Sequence, residues 1–269
     1  MSPVLAIGSR ECARVGYLAV VRVLTGVLSA CVLAATAQSA VAGPGGTIGN
    51  PGAEEVKARK GPLFHPDGPG KYRWRAAVGI TLDVLPRRVV ESEMRTSPLL
   101  TGYFRFGLPV GFSVDTRLSA VYISNQIDLG VAWSHRIKNF SFGVQDHAGI
   151  WFGALGFEGF DASGRSLVNS PGASIGLAVG DHRFTLLSEG LFTFYQHTTL
   201  GDSRTVEKKS ARFAGMATTL VVESFFGKGS AVYYGFGLLW TLPDYQAWIA
   251  FSDSRTRAWY PRFLAGYAF

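Results

Sequence analysis

The sequence is short of thiols. Its 269 residues include only Cys12 and Cys31, both near the N-terminus. Beyond residue 31 this excludes a disulfide framework and a cysteine metal site. The histidines, His65, His135, His147, His182 and His197, are dispersed without ligand spacing, so no metal is expected. Charge is also sparse, at 17% of the chain. The formal net charge is +7, but the Lys and Arg residues are scattered among apolar ones. They form no basic patch with stacking aromatics, and no nucleic-acid partner is expected. Past the N-terminal region, no apolar run reaches the roughly 18 residues a spanning helix needs. Gly153-Ala154-Leu155-Gly156 lacks the strand–loop–helix setting of a phosphate cradle, and no cofactor is expected.

Apolar residues, by contrast, are plentiful at 47%, with 33 glycines and 13% aromatics. A chain this apolar without spanning helices must alternate its apolar residues or bury them in a very large core. The N-terminal region is a separate case. Arg10, Arg14 and Arg22 precede an apolar run ending at Ala35, followed by Ala40-Val41-Ala42. Positive flank, apolar stretch and A-x-A site predict an export signal peptide over 1–42, cut after Ala42. Leu28-Ser29-Ala30-Cys31 also resembles a bacterial lipobox, which would lipidate Cys31. The apolar residues after Cys31 favour simple cleavage. Residues 43–70 are Gly/Pro-rich and read as a flexible periplasmic leader.

From Lys71 the pattern is strict alternation. Trp74, Ala76, Val78, Ile80, Leu82 and Val84 share one parity; Arg73, Arg75, Thr81 and Asp83 share the other. Such a run suits a bilayer-crossing strand, which takes about 9–11 tilted residues. The pattern recurs over 71–84, 98–108, 111–123, 126–135, 139–150, 171–180, 183–196, 209–225, 230–242 and 257–269. It predicts an all-β, closed antiparallel transmembrane barrel over 71–269, of about ten strands, with eight or twelve as alternatives. Links at Pro109-Val110, 136–138, Asp181-His182 and 227–229 are short. Links at 85–97, 151–170, 197–208 and 243–256 are long, and Ser124-Asn125 is a tight exception. Short turns on one side and longer loops on the other fit such a barrel.

Constant index sums predict the hairpin registers. They place Arg105 opposite Asp115 and Phe106 opposite Val114. They also place Asp128 opposite His147, Trp133 opposite Phe142, and Leu129 opposite Ala120. Asp146 falls on the lipid parity, where a bulge or an interfacial position is expected.

Residues 71–269 therefore resemble a Gram-negative outer-membrane β-barrel protein, without a subfamily being identified. Members commonly end in Phe preceded by alternating large apolar residues, a signal read by the barrel-assembly machinery. Tyr267 and Phe269 match that pattern, while Ala265 and Pro261 depart from it. The resemblance implies an outer-membrane location, and lipid, lipopolysaccharide and the assembly machinery as partners.

The non-lipid parity carries Arg73, Arg75, Arg105, Asp115, Arg117, Glu189 and Arg262, read as an interior charge network. Ten strands enclose little more than their own side chains, so a small barrel is expected, structural or with a narrow pore, largely plugged by ion pairs. Two alternatives stand beside it. One is a hydrolase with a rim site, in which Asp128 orients His147 as general base and Ser174 is the nucleophile. The other is a surface-loop binding or adhesion protein using the aromatic 151–170 loop.

Overall fold

The computed structural model describes residues 61–86, 96–121, 124–157, 160–200, 204–226, 229–242 and 257–269. Eleven strands follow in order: β1 (Trp74–Val84), β2 (Thr96–Gly107), β3 (Phe112–Val121), β4 (Ser124–Ile137), β5 (Phe140–Phe157), β6 (Phe160–Asn169), β7 (Gly172–Val179), β8 (His182–Leu200), β9 (Arg204–Phe226), β10 (Ser230–Thr241) and β11 (Ala258–Ala268). Sequential neighbours other than β6 and β7 pair antiparallel, and β1 pairs with β11, so the sheet closes. Phe269 completes the seam, exchanging backbone hydrogen bonds with Ala76. Strands β6 and β7 occupy one stave between β5 and β8. They keep one register against β5 across Ser170-Pro171, where proline offers no donor. The chain is therefore a closed antiparallel ten-stave barrel.

Alternation decides the faces. Leu129, Val131 and Trp133 are exposed, at 62%, 58% and 40%, while their inward neighbours Asp128 and Ala132 are buried. Arg75, Asp83 and Glu223 have no exposed surface at all. Apolar side chains outside and charges inside invert a soluble barrel, and the outer surface is suited to hydrocarbon. The ladder has to close for the same reason: no water is available there for an unpaired backbone group. The two chain ends of the barrel meet at what we call its proximal end, together with the turns at 108–111, 138–139 and 180–181 and the facing ends of β9 and β10.

The β2–β3 register is as expected, with Arg105 opposite Asp115 and Phe106 opposite Val114. Two other registers need correction. In β4–β5, His147 lies opposite Gly130, Asp128 opposite Gly149, and Trp133 opposite Val144. The turn is Lys138-Asn139, with Lys138 at φ 56°, and it keeps Ile137 beside Phe140 on the outer face. In β3–β4, Leu129 faces Thr116 and Ala120 faces Asn125. Ser124 and Asn125 look like turn residues but belong to β4. Ser124 is buried and its hydroxyl accepts from the Trp151 indole at 2.5 Å.

The expected loop 151–170 is also corrected. It is the distal half of β5 followed by β6, and it extends existing staves rather than adding new ones. Likewise β8 runs to Leu200 and β9 starts at Arg204, through the expected 197–208 loop. The loops 87–95 and 243–256, and residues 1–60 with the expected cleavage site and Cys31, lie outside the described residues. Asp146 shows no bulge: it faces outward in continuous register opposite Val131.

Val131 lies near the middle of the apolar belt on β4. Val131→Arg should destabilise the barrel by about 2–4 kcal/mol, measured by denaturant titration in lipid vesicles, whereas Val131→Leu should be near neutral.

Candidate functional site

Residues 61–70, expected as part of a flexible leader, are instead folded into the proximal end of the lumen. The backbone amides of Leu63, Phe64 and His65 all donate to the Glu223 carboxylate of β9, at 2.8, 3.0 and 3.0 Å. Three successive amides converging on one anion satisfy a charge that burial would otherwise make costly. From β2, Arg105 donates through Nη1 to the Leu63 and His65 carbonyls at 2.9 and 3.2 Å. One tripeptide is thus gripped through its donors by an acid and through its acceptors by a base. The Phe64 ring fills the space between Tyr103 and Tyr233, with centroids 4.9 and 4.8 Å away. Asp67 accepts from the Ser141 hydroxyl and pairs with Arg136 at 3.2 Å, which ties the plug to β5 and β4.

His65 has no exposed surface. Its Nδ1 accepts from the Asp67 amide at 3.4 Å, the arrangement of a neutral ring. Burial pushes its pKa from 6.5 down to about 4, against the opposing pull of the Asp67 carboxylate. The positive charges of Arg183, Arg136 and Arg105 push the same way as burial. Gly176 on β7 makes the socket, since a Cβ there would fall 2.3 Å from His65 Nε2.

Distal to the plug the lumen has a polar wall and an apolar wall. On the polar side Arg117 donates to Glu189 at 2.6 Å, and the Gln145 amide donates to the same oxygen at 3.0 Å. His147 Nε2 meets Asp115 Oδ1. Asp128 accepts from the Gln126 amide at 2.9 and 3.0 Å. Arg262 binds Asp83 through two hydrogen bonds of 2.6 and 2.7 Å. The apolar wall is formed by Val168, Leu191, Ala217, Leu239 and Tyr260. A cavity of about 120 Å³ remains between the walls, with Phe64 among its lining residues.

Of the expected network, Arg105, Asp115, Arg117, Glu189 and Arg262 line the lumen, with Arg105 Nε 3.8 Å from Asp115. Arg75 is buried but works at the seam. It donates to the Gly229 and Ala268 carbonyls and lies 5.4 Å from the Phe225 ring. Arg73 is exposed just before β1 and is not part of the interior. The three residues of the hydrolase reading do not converge. His147 holds Asp115 rather than Asp128, and Asp128 is bonded to Gln126. Ser174 is buried opposite Gly143, four residues along β5 from His147, or about 13 Å of strand. Tyr267 faces outward beside Val78 and Val232, and Phe269 stacks 6.5 Å from it.

Sequence reasoning missed Glu223 and His65. Glu223 sits on the inward parity of β9, and the Leu63-Phe64 pair is an apolar element that a solvated leader does not need.

No protein-family model matches this sequence, and no curated protein sequence matches it. Among solved structures, the barrel is similar to the outer membrane protease OmpT from Escherichia coli. The two share 9% identity over 78% of this chain and 99% of that one, with a TM-score of 0.42. It is also similar to the translocator domain of the autotransporter NalP from Neisseria meningitidis. There the identity is 10% over 73% of this chain and 88% of that one, with a TM-score of 0.34. Acinetobacter baumannii CarO aligns at 10% identity over 72% of this chain and 97% of that one, with a TM-score of 0.21.

Two outcomes follow for the plug. Hydrogen bonds to a charged acceptor contribute about 1.5–3 kcal/mol each. Glu223→Ala should therefore raise hydrogen exchange at the Leu63, Phe64 and His65 amides by about two orders of magnitude or more. A basic group with a lowered pKa in the docked state favours docking most at high pH. Protection of the same amides, corrected for intrinsic exchange rates, should fall as pH drops from 6.5 to about 4 and then level off. His65→Gln should flatten that slope.

Proposed function

We propose that this chain is a bacterial outer-membrane barrel whose N-terminal segment keeps a narrow lumen closed. Its role is that of a small non-enzymatic barrel, structural or weakly permeable, and plug release is what would widen the path. The observation that carries this reading is the double grip of Glu223 and Arg105 on residues 63–65 inside the proximal mouth. The outward apolar belt and the closed ladder support the membrane setting. In a Gram-negative envelope, short turns and plug would face the periplasm. Outer-membrane lipid, lipopolysaccharide and the barrel-assembly machinery are the partners this setting brings.

The interior supports closure further. Charges in a narrow space are stable only when paired. Asp83–Arg262 and Arg117–Glu189 are paired across staves. An open aqueous channel needs a wider circumference than ten staves give a side-chain-filled lumen.

Planar-bilayer recording tests the reading. The full chain should give little or no steady conductance, and a chain lacking residues 61–70 should give small, reproducible steps. A large ohmic conductance from the full chain contradicts closure. A silent deletion variant that retains the barrel, checked by heat-modifiable gel mobility, contradicts the plug's role.

A further inference from the structure

The outer face of the barrel is apolar over most of its circumference, but one patch breaks the pattern. Along β5 the outward belt runs Phe140, Phe142, Val144, Asp146, Ala148, Ile150, so an exposed carboxylate sits near its middle. An acidic side chain facing hydrocarbon at mid-depth is costly. Among the described residues one side-chain donor reaches it: Asn169 Nδ2 donates to Asp146 Oδ1 at 2.7 Å. That amide is then fully used, because it also donates to the His147 carbonyl at 3.0 Å. Among the described residues, no side chain donates to the second carboxylate oxygen. Two staves away the belt is again polar at mid-depth. Ser188 on β8 and Thr218 on β9 share one hydrogen bond of 3.1 Å, which leaves one of the two hydroxyl hydrogens without a use in that pair. Between these two polar points lie only small outward residues, Pro171 and Ala173, so nothing bulky keeps another surface away.

We propose that this face is the contact with a second copy of the same chain, across a two-fold axis normal to the membrane. The geometry favours a copy over a foreign partner because the patch complements itself. Continued by one residue, the β5–β7 and β7–β8 registers place Asp146, Pro171 and Gly190 in one row across the staves, and the Gly190 amide donates to the Pro171 carbonyl. Strands about 4.8 Å apart and tilted about 40° raise that row by about 6 Å from β5 to β8. Ser188 lies two residues back toward the proximal end from Gly190, about 5 Å lower. Asp146 and Ser188 therefore stand at nearly one depth, on either side of Ala173. A vertical two-fold through the Ala173 stave sets the acceptor of each copy against the hydroxyl pair of the other. The interface is isologous, as two-fold interfaces must be. Each carboxylate gains a donor, and both polar points leave the lipid together.

The test uses the full chain reconstituted in phosphatidylcholine vesicles at low protein-to-lipid ratio, with single-molecule photobleaching as the count. Wild type should bleach predominantly in two steps. Asp146→Leu and the double variant Ser188→Val, Thr218→Val should each bleach mainly in one, with heat-modifiable mobility confirming that the barrel is intact. A second readout does not depend on those side chains. In a chain with Cys12 and Cys31 replaced by serine, Ala173→Cys should form a disulfide-linked dimer on mild oxidation, and Val78→Cys on β1, five staves away on the opposite wall, should not. One-step bleaching of wild type overturns the proposal, even if another membrane protein co-purifies with it. So do a two-step Asp146→Leu variant or equal cross-linking at the two cysteine positions.

Discussion

Everything in this molecule depends on the closure of its backbone ladder, with β1 paired to β11 from Ala77 opposite Ala268 to Asp83 opposite Arg262. In hydrocarbon an unpaired amide or carbonyl costs several kcal/mol. A ring removes both edges at once. Closure also fixes parity, because a slip of one residue anywhere would carry a charged row into lipid. The interior ion pairs follow from that constraint. Asp83 and Arg262 face each other because the seam register places them there, and Asp83, with no exposed surface, is satisfied by that partner.

The lumen then has to be filled. Ten staves leave too much space for their own side chains alone and too little for an open aqueous channel. The chain fills the proximal end with its own backbone, which explains the unusual partners. A strand side chain reaching inward there finds backbone amides and carbonyls as well as other side chains. Glu223 takes three such donors and Arg105 finds two such acceptors. The prolines at 62, 66 and 69 suit this segment, since each removes an amide that no ladder would satisfy. A buried neutral histidine at the centre of the grip makes the same contact sensitive to acid.

The sequence made the barrel legible because the side-chain period is a property of every strand, and Trp74 to Val84 shows it without interruption. The β2–β3 hairpin was legible to the residue, because Pro109 and Gly111 leave one place for a turn. The β4–β5 register was not. Parity is unchanged by a slip of two, so the pattern cannot distinguish Asp128 from Gly130 as the neighbour of His147. That single ambiguity generated the Asp128–His147 pair of the hydrolase reading. The plug was hidden for a different reason. Glycine and proline mark solvated linkers and irregular packed segments alike, and only the unused Glu223 and the Leu63-Phe64 pair separated the two. The distal parts of β8 and β9 look like a loop because residues 197–208 are mostly polar, and 151–170 looks like one because glycines at 153, 156 and 159 interrupt its aromatics. There the backbone can pair without an apolar face.

The central claim is that lipid, rather than packed protein or water, surrounds this barrel's waist. Site-directed spin labels placed singly from Gln126 to Trp133, in the protein reconstituted in bilayers, test it most directly. Oxygen accessibility should oscillate with a period of two, high at Ile127, Leu129, Val131 and Trp133 and low at the residues between. An oscillation of opposite phase, or water-soluble relaxation agents reaching Leu129 and Val131, would contradict it.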